Sequence, residues 1–188
     1  MKKLITIAFF VITAKAFSQS RLDTLVFNKV NEYRAENCLA PLKWSSNAQQ
    51  VAKNQAEYCS RVKYVLHDQT DSVGADFQIE PDFEKRFSKH GINVIGKDWI
   101  IAENLVVDVD TSVNYIKTDE IIASETLISW KNSPEHNAMM LIPGIEFASV
   151  SHAIGDEYTT TEFDFNSMSN YLVRVRGKAY YVALDAYK

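Results

Sequence analysis

The sequence predicts an α+β protein in which helices pack on an antiparallel sheet. Helical periodicity dominates the first part of the 188 residues, and alternating strand patterns dominate the last part. The composition is that of a globular protein, because 46% of the residues are hydrophobic and only 6 Gly and 4 Pro are present. Since no internal repeat or flexible linker divides the chain, residues 22–187 are predicted to form a single domain.

Three long helices are predicted from apolar residues that recur at spacings of three and four. They cover residues 23–37, 46–62 and 119–132. Ser46 and Gln49 have the spacing of a capping box at the start of the second helix, which then carries a stripe of small residues. Such a stripe lets another element pack closely against it.

Two prolines predict shorter helices. Pro81 lies in the first turn of a predicted helix over 81–89, and Gly91 is its C-terminal stop. Pro134 ends the third long helix, and Ser133 is predicted to cap a new short helix that begins there.

A strand is predicted over 99–108, a segment that is apolar except for Glu103 and Asn104. A lone buried carboxylate is costly unless a cation or hydrogen-bond donors compensate it. The interruption therefore indicates a functional role for Glu103.

The last part of the chain predicts antiparallel strands. Residues 147–154 form the first, and the polar stretch 155–169 is predicted to be a long loop. Alternation over 171–187 then predicts a hairpin whose two-residue turn is Gly177-Lys178.

The first residues have the pattern of a cleavable secretory signal peptide over 1–18. Two lysines precede an apolar run over 4–14, which is too short to span a bilayer. We therefore expect a mature protein that starts near Gln19, is secreted to the periplasm or cell exterior, and has no transmembrane segment. The alternative is an uncleaved amphipathic helix, because Lys15 interrupts the end of the apolar stretch.

Charge excludes one class of partner. Cleavage would remove three lysines and change the formal net charge from −4 to −7. An acidic chain without a Lys/Arg cluster repels phosphate backbones, so no nucleic-acid partner is expected.

Cys38 and Cys59 are expected to form a disulfide, because secretion permits one and two cysteines allow a single connectivity. An extended connector over 39–45 spans roughly 23 Å, enough to place Cys38 beside the far end of the second helix. The alternative is that Cys59 is a small apolar residue on a buried helix face and Cys38 a free loop thiol.

Common catalytic motifs are absent from the sequence: it has no H-E-x-x-H, G-x-S-x-G, Gly-rich phosphate loop or C-x-x-C. Of the four histidines, His90 and His152 occupy positions typical of structural histidines. His67 and His136 are the stronger candidates. His136 lies in the first turn of a predicted helix, where the helix dipole favours a neutral ring that can bind a metal.

Motifs in a particular order resemble the CAP superfamily, also called SCP or the cysteine-rich secretory, antigen 5 and pathogenesis-related domain, in its bacterial form. They are Asn31 and Arg34, Leu42-Lys43-Trp44, an alanine-rich helix, His67, Glu103-Asn104, and Trp130-Lys131-Asn132-Ser133-Pro134-Glu135-His136. The resemblance covers about 22–187. It implies a three-layer α-β-α sandwich with a central antiparallel sheet.

The resemblance also implies a central cleft that can hold a divalent cation. The matching positions are His67, Glu103 and His136, with Ser133 where the family's second glutamate stands. Two imidazoles and a carboxylate suit zinc and leave one coordination position open. We therefore expect the three residues to converge.

Three departures from the family pattern affect this site. Ala102 and Glu135 stand where glycine is usual, and Ser133 replaces a glutamate. Glu125, on the same helix, or Glu135, beside His136, could substitute for that glutamate.

Three functions follow from these residues. The first is a secreted binding module whose cleft takes a divalent metal or a small or lipidic ligand. The second is a metal-dependent, peptidase-like hydrolase in which Glu103 is the general base and His67 and His136 assist. The third is a cell-surface interaction domain in which the polar residues are a structural remnant.

Overall fold

A computed structural model of the chain describes residues 19–94, 99–110, 117–164 and 169–188, and for 160–164 and 169–175 it describes the backbone alone. The predicted signal peptide over 1–18 lies outside the described residues. Among the described helices, none is long and apolar enough to cross a membrane.

The described part of the chain contains five helices. They are α1 (Arg21–Glu36), α2 (Ser46–Val62), α3 (Phe83–Lys89), α4 (Asp119–Asn132) and α5 (Pro134–Met140). The predicted bounds of the second and third long helices are confirmed, and the first begins two residues earlier than predicted. A local cap explains the start of α2, because a short side chain binds a free N–H group there, whereas Thr118 at the start of α4 makes no side-chain cap hydrogen bond.

The observed caps also correct two predictions, the capping residue of α2 and the first residue of α3. Ser45, not Ser46, caps α2, since its hydroxyl accepts from the backbone N–H of Ala48 at 3.2 Å. Asp82 caps α3, so this helix begins two residues after the predicted start. Ser133 caps α5 as predicted.

The strands form one sheet. They are β1 (Lys43–Trp44), β2 (Ile101–Asp110), β3 (Phe147–Asp164) and β4 (Ser169–Tyr187), in the spatial order β1-β3-β4-β2. The two long pairings are antiparallel, and the two-residue β1 adds a short parallel pairing to β3. The described sheet is therefore mixed, and β2 lies at one edge.

The predicted loop is wrong over 155–164, which belong to β3, and its residues 165–168 lie outside the described residues. The predicted turn at Gly177-Lys178 is also wrong. β3 and β4 pair continuously from Phe147 opposite Tyr187 to Asp164 opposite Ser169. The register shifts where Gly177 and Lys178 together face Asp156, so the glycine marks a β-bulge instead of a turn. A glycine inside a strand pattern is compatible with either structure, and long-range pairing decides between them.

The sheet lies between two helical layers. Helices α1 and α4 cover one face, where Val26, Val30 and Trp130 belong to one buried cluster with Val182. Helix α2 covers the other face, where its small residues Ala52 and Ala56 allow close approach to β4. Helix α3 packs on this second side, with Phe87 in contact with the start of α2. The arrangement is the predicted α-β-α sandwich.

The two cysteines are free thiols in the structure, which contradicts the predicted disulfide. Asn31 binds both the N–H and the carbonyl of Leu42, and Arg34 donates to the carbonyl of Ala40 at 3.0 Å. These contacts hold the connector beside α1, so it does not extend toward the end of α2. Cys38 is exposed, and Cys59 is a buried residue of α2.

Candidate functional site

A cavity of 370 Å³ opens beside the edge strand β2. His67, Glu103 and His136 all line it, together with Arg86 and Phe83. His67 follows α2 on one side of the sheet, and His136 belongs to α5 on the other side. The cavity therefore lies across the sheet edge, between the two helical layers.

Glu103 holds the ring of His67. The distance from His67 Nδ1 to Glu103 Oε1 is 2.8 Å, and the glutamate side chain is 2% exposed whereas that of the histidine is 55% exposed. A carboxylate only accepts hydrogen bonds, so Nδ1 is the donor and Nε2 is left to face a ligand. The same hydrogen bond raises the pKa of His67, although partial burial opposes the shift.

Asn104 holds the segment that carries His136. Its side-chain amide donates to the backbone carbonyl of His136 at 3.0 Å. Burial and the neighbouring His67 lower the pKa of His136. The His136 imidazole is therefore favoured in its neutral form, in which one ring nitrogen keeps a free lone pair.

The adjacent positions of Glu103 and Asn104 have a geometric reason. Successive side chains of a strand point to opposite faces. Ala102 and Val106 pack on the α1/α4 side, and Leu105 packs on the α2 side. By this alternation, Glu103 faces the layer of His67 and Asn104 faces the layer of His136.

Arg86 of α3 is a site residue that the sequence did not indicate. Its guanidinium is 2% exposed, donates from Nη2 to the carbonyl of His67 at 2.7 Å, and reaches Glu103 Oε2 from Nη1 at 3.4 Å. Nη1 also donates to the side-chain carbonyl of Gln55. An arginine in a short helix has no local pattern that distinguishes it from a surface residue.

Two buried glutamines fix the loop between α2 and α3. The Gln69 amide donates to Gln55 Oε1 at 2.9 Å, and its carbonyl accepts from the backbone N–H of Glu80 at 2.8 Å. Gln55 in turn donates to the carbonyls of Leu66 and His67. These bonds position His67 although its segment has no regular secondary structure.

A second carboxyl lies next to Glu103. Asp185 of β4 is the direct cross-strand partner of Glu103 and is completely buried. Neither of its oxygens has a hydrogen-bond partner among the described residues. Burial and the nearby Glu103 carboxylate raise the pKa of Asp185, and Arg86 opposes the shift.

The other candidate acids and Ser133 have separate roles. Ser133 caps α5 and is not among the residues that line the cavity. Glu125 pairs with Lys117 at 2.6 Å, and Glu135 lines the cavity. Within the described ranges, no three His, Cys, Asp or Glu side chains are grouped as a metal site. Glu103 is bound through both oxygens, so its geometry is that of a group that orients His67.

These observations define the class of protein: it is an α-β-α sandwich with a two-histidine cavity at the edge of its sheet. The sequence model of the cysteine-rich secretory protein family, the CAP family, matches residues 27–171. The chain belongs to this family. A search of curated proteins finds no match to the chain.

Two solved structures share the fold. An outer surface protein of Borrelia burgdorferi is 11% identical with a TM-score of 0.53, and the match covers 90% of this chain and 95% of that protein. An extracellular SCP-domain protein of Bacillus anthracis is 15% identical with a TM-score of 0.51, and the match covers 87% of this chain. This chain spans 39% of the length of the Bacillus protein.

Proposed function

We propose that this CAP domain is an exported binding module whose cavity takes a cationic ligand, of which a divalent metal ion such as zinc is the simplest. The observation that carries the proposal is the cavity of 370 Å³ lined by both His67 and His136, with Glu103 bound to the first ring. Two imidazoles from different layers have no structural need to face the same space.

The charge of the cavity supports a cation. Its lining includes the carboxylates of Asp68, Glu103 and Glu135 and the guanidinium of Arg86. With neutral histidines this set is negative, and a negative cleft concentrates cations and repels anionic lipid headgroups.

The histidine environment supports metal binding through His67 Nε2 and the neutral ring of His136. A metal-binding histidine commonly donates its other N–H to a carboxylate, as His67 does to Glu103. The donor set fits a two-imidazole site in which water, the ligand or a rim carboxylate supplies the remaining positions. When bound, such a metal would supply Lewis acidity.

The geometry favours binding over hydrolysis. A general base needs an oxygen that can accept a proton from an attacking water. Glu103 is 4% exposed, and its two oxygens face His67 and Arg86. The proposed role of Glu103 is therefore to orient His67.

Export is supported by the basic and apolar pattern over 1–18 and by the two similar structures, which are those of an outer surface protein and an extracellular protein. Intact-mass analysis of exported protein tests this part. Retention of residues 1–17 in the exported material would contradict it.

Calorimetric titration with zinc tests the binding site. We expect His136→Ala to weaken zinc binding by at least about 10-fold, since one of two protein donors is lost. His90→Ala is the matched control, because His90 ends α3 and does not line the cavity. Equal affinities in the two variants, or no zinc binding by the unmodified protein, would overturn the metal-site proposal.

A further inference from the structure

We infer that Asp185 is a positioning residue of the cavity: as a carboxylic acid it donates a hydrogen bond to the Glu103 carboxylate, which in turn holds the His67 ring. The inference rests on the proposed function in one respect, namely that His67 faces the ligand. It assigns a role to a buried group that lies beneath the cavity and does not line it.

Strand register brings the two carboxyls together. Glu103 and Asp185 are directly opposite in the antiparallel pairing of β2 and β4, so their side chains point to the same face. Opposite residues in such a pair have Cβ atoms about 4.5–5.5 Å apart. Both side chains are buried, at 4% and 0% exposure. Two carboxylates this close do not both ionise readily in a buried site.

The charged groups around Glu103 and Asp185 do not supply a positive charge for each of the two carboxyls. From α3, Arg86 faces both groups, but its guanidinium is shared among Glu103, Gln55 and the carbonyl of His67. From α2, the thiol of Cys59 contributes no charge, because burial raises its pKa to about 11. His67 pairs with Oε1 of Glu103.

Among the described residues, the polar groups next to Asp185 also donate no hydrogen bond to it. On its β3 side, Ser149 is the cross-strand partner, and its hydroxyl donates to the carbonyl of Ser45. As a carboxylate, Asp185 has no hydrogen-bond partner among the described residues. As an acid, it has an O–H group, and the Glu103 carboxylate, which lies opposite it in the strand register, is a strong acceptor.

A donor from Asp185 has a consequence at the cavity. It fixes the Glu103 carboxylate in position, and a fixed carboxylate selects the Nδ1–H tautomer of His67. The ligand-facing nitrogen, Nε2, then retains its lone pair. The series of hydrogen bonds therefore runs from Asp185 on β4 through Glu103 on β2 to His67 in the loop after α2.

The test compares Asp185→Asn with Asp185→Leu. Asparagine keeps a donor, whereas leucine has a similar volume and no polar group. Nitrogen-15 NMR of the imidazoles, at one pH where His67 is neutral, reports its tautomer. We expect the single Nδ1–H form in the unmodified protein and in Asp185→Asn, and a mixture of tautomers in Asp185→Leu. Ser149→Ala is the control for disturbing the same buried row.

Zinc titration of the same variants gives a second measurement. We expect unchanged affinity in Asp185→Asn and about 10-fold weaker binding in Asp185→Leu, the lower end of the effect of outer-shell partners. If both variants keep the His67 tautomer, or if asparagine disturbs it as leucine does, the inference is overturned. If the unmodified protein binds no zinc, the metal-site proposal fails while the tautomer measurement still decides the role of Asp185.

Discussion

Replacing Asp185 by asparagine should change how the stability of the protein depends on pH. Burial and Glu103 raise the pKa of Asp185 in the folded state, whereas the unfolded chain ionises an aspartate near pH 3.9. Between the unfolded and folded pKa values, the folded protein binds one proton more than the unfolded chain. Stability from this group is therefore fully present below the unfolded pKa and is lost as the pH rises.

The magnitude follows from proton linkage. One proton of difference corresponds to a loss of about 1.4 kcal/mol in the free energy of unfolding for each pH unit. Across two such units the unmodified protein should lose about 2.7 kcal/mol that Asp185→Asn does not lose. Other groups titrate in both proteins, so the difference between the two isolates Asp185.

Urea unfolding at a series of pH values above 4 measures this difference. We expect the free energy of unfolding of Asp185→Asn to increase relative to that of the unmodified protein as the pH rises. Ser149→Ala removes a buried group from the same row without removing a titratable one, so its effect should stay constant. A constant difference for Asp185→Asn, or one that shrinks as pH rises, would show that Asp185 is ionised in the folded protein.

Three further outcomes are expected. Arg86→Leu should reduce the free energy of unfolding by about 3–5 kcal/mol in urea titrations, because it leaves the buried Glu103 carboxylate without its cation; a loss below about 1 kcal/mol would contradict this. Asn104→Ala should weaken zinc binding in calorimetry while the His67 tautomer stays unchanged, and a changed tautomer would mean that the two histidine anchors are not independent. A maleimide should label Cys38 in the folded protein and Cys59 only after unfolding, as measured by mass spectrometry. If neither thiol is labelled until a reductant is added, the two cysteines form the disulfide after all.

The helices could be predicted from the sequence because their signals are local. Apolar spacing and short capping side chains act within one or two turns, and the bounds of α2 and α4 match the predicted ones. The C-terminal strands depend on pairing between residues far apart in sequence. Gly177 therefore indicated a turn, although in the sheet it belongs to a bulge.

The candidate site could be predicted in part for the same reason. His67, Glu103 and His136 stand in an order that resembles a family, and all three line one cavity. Arg86 and Asp185 could not be found, because their roles arise from how α3 packs and from which residue of β4 lies opposite Glu103. The orienting geometry of Glu103 is likewise a property of the folded contacts, since composition cannot distinguish a ligand from a residue that holds one.

The placement of Glu103 and Asn104 on opposite faces of an edge strand has a mechanical consequence. Each residue anchors a histidine segment from a different helical layer, so a ligand bound by both histidines would connect the two layers. Binding would then slow opening of the sandwich at this edge, and amide exchange should decrease in the loop after α2 and in α5 together. In such a domain, occupancy of a small cavity would control how readily two halves of the molecule separate.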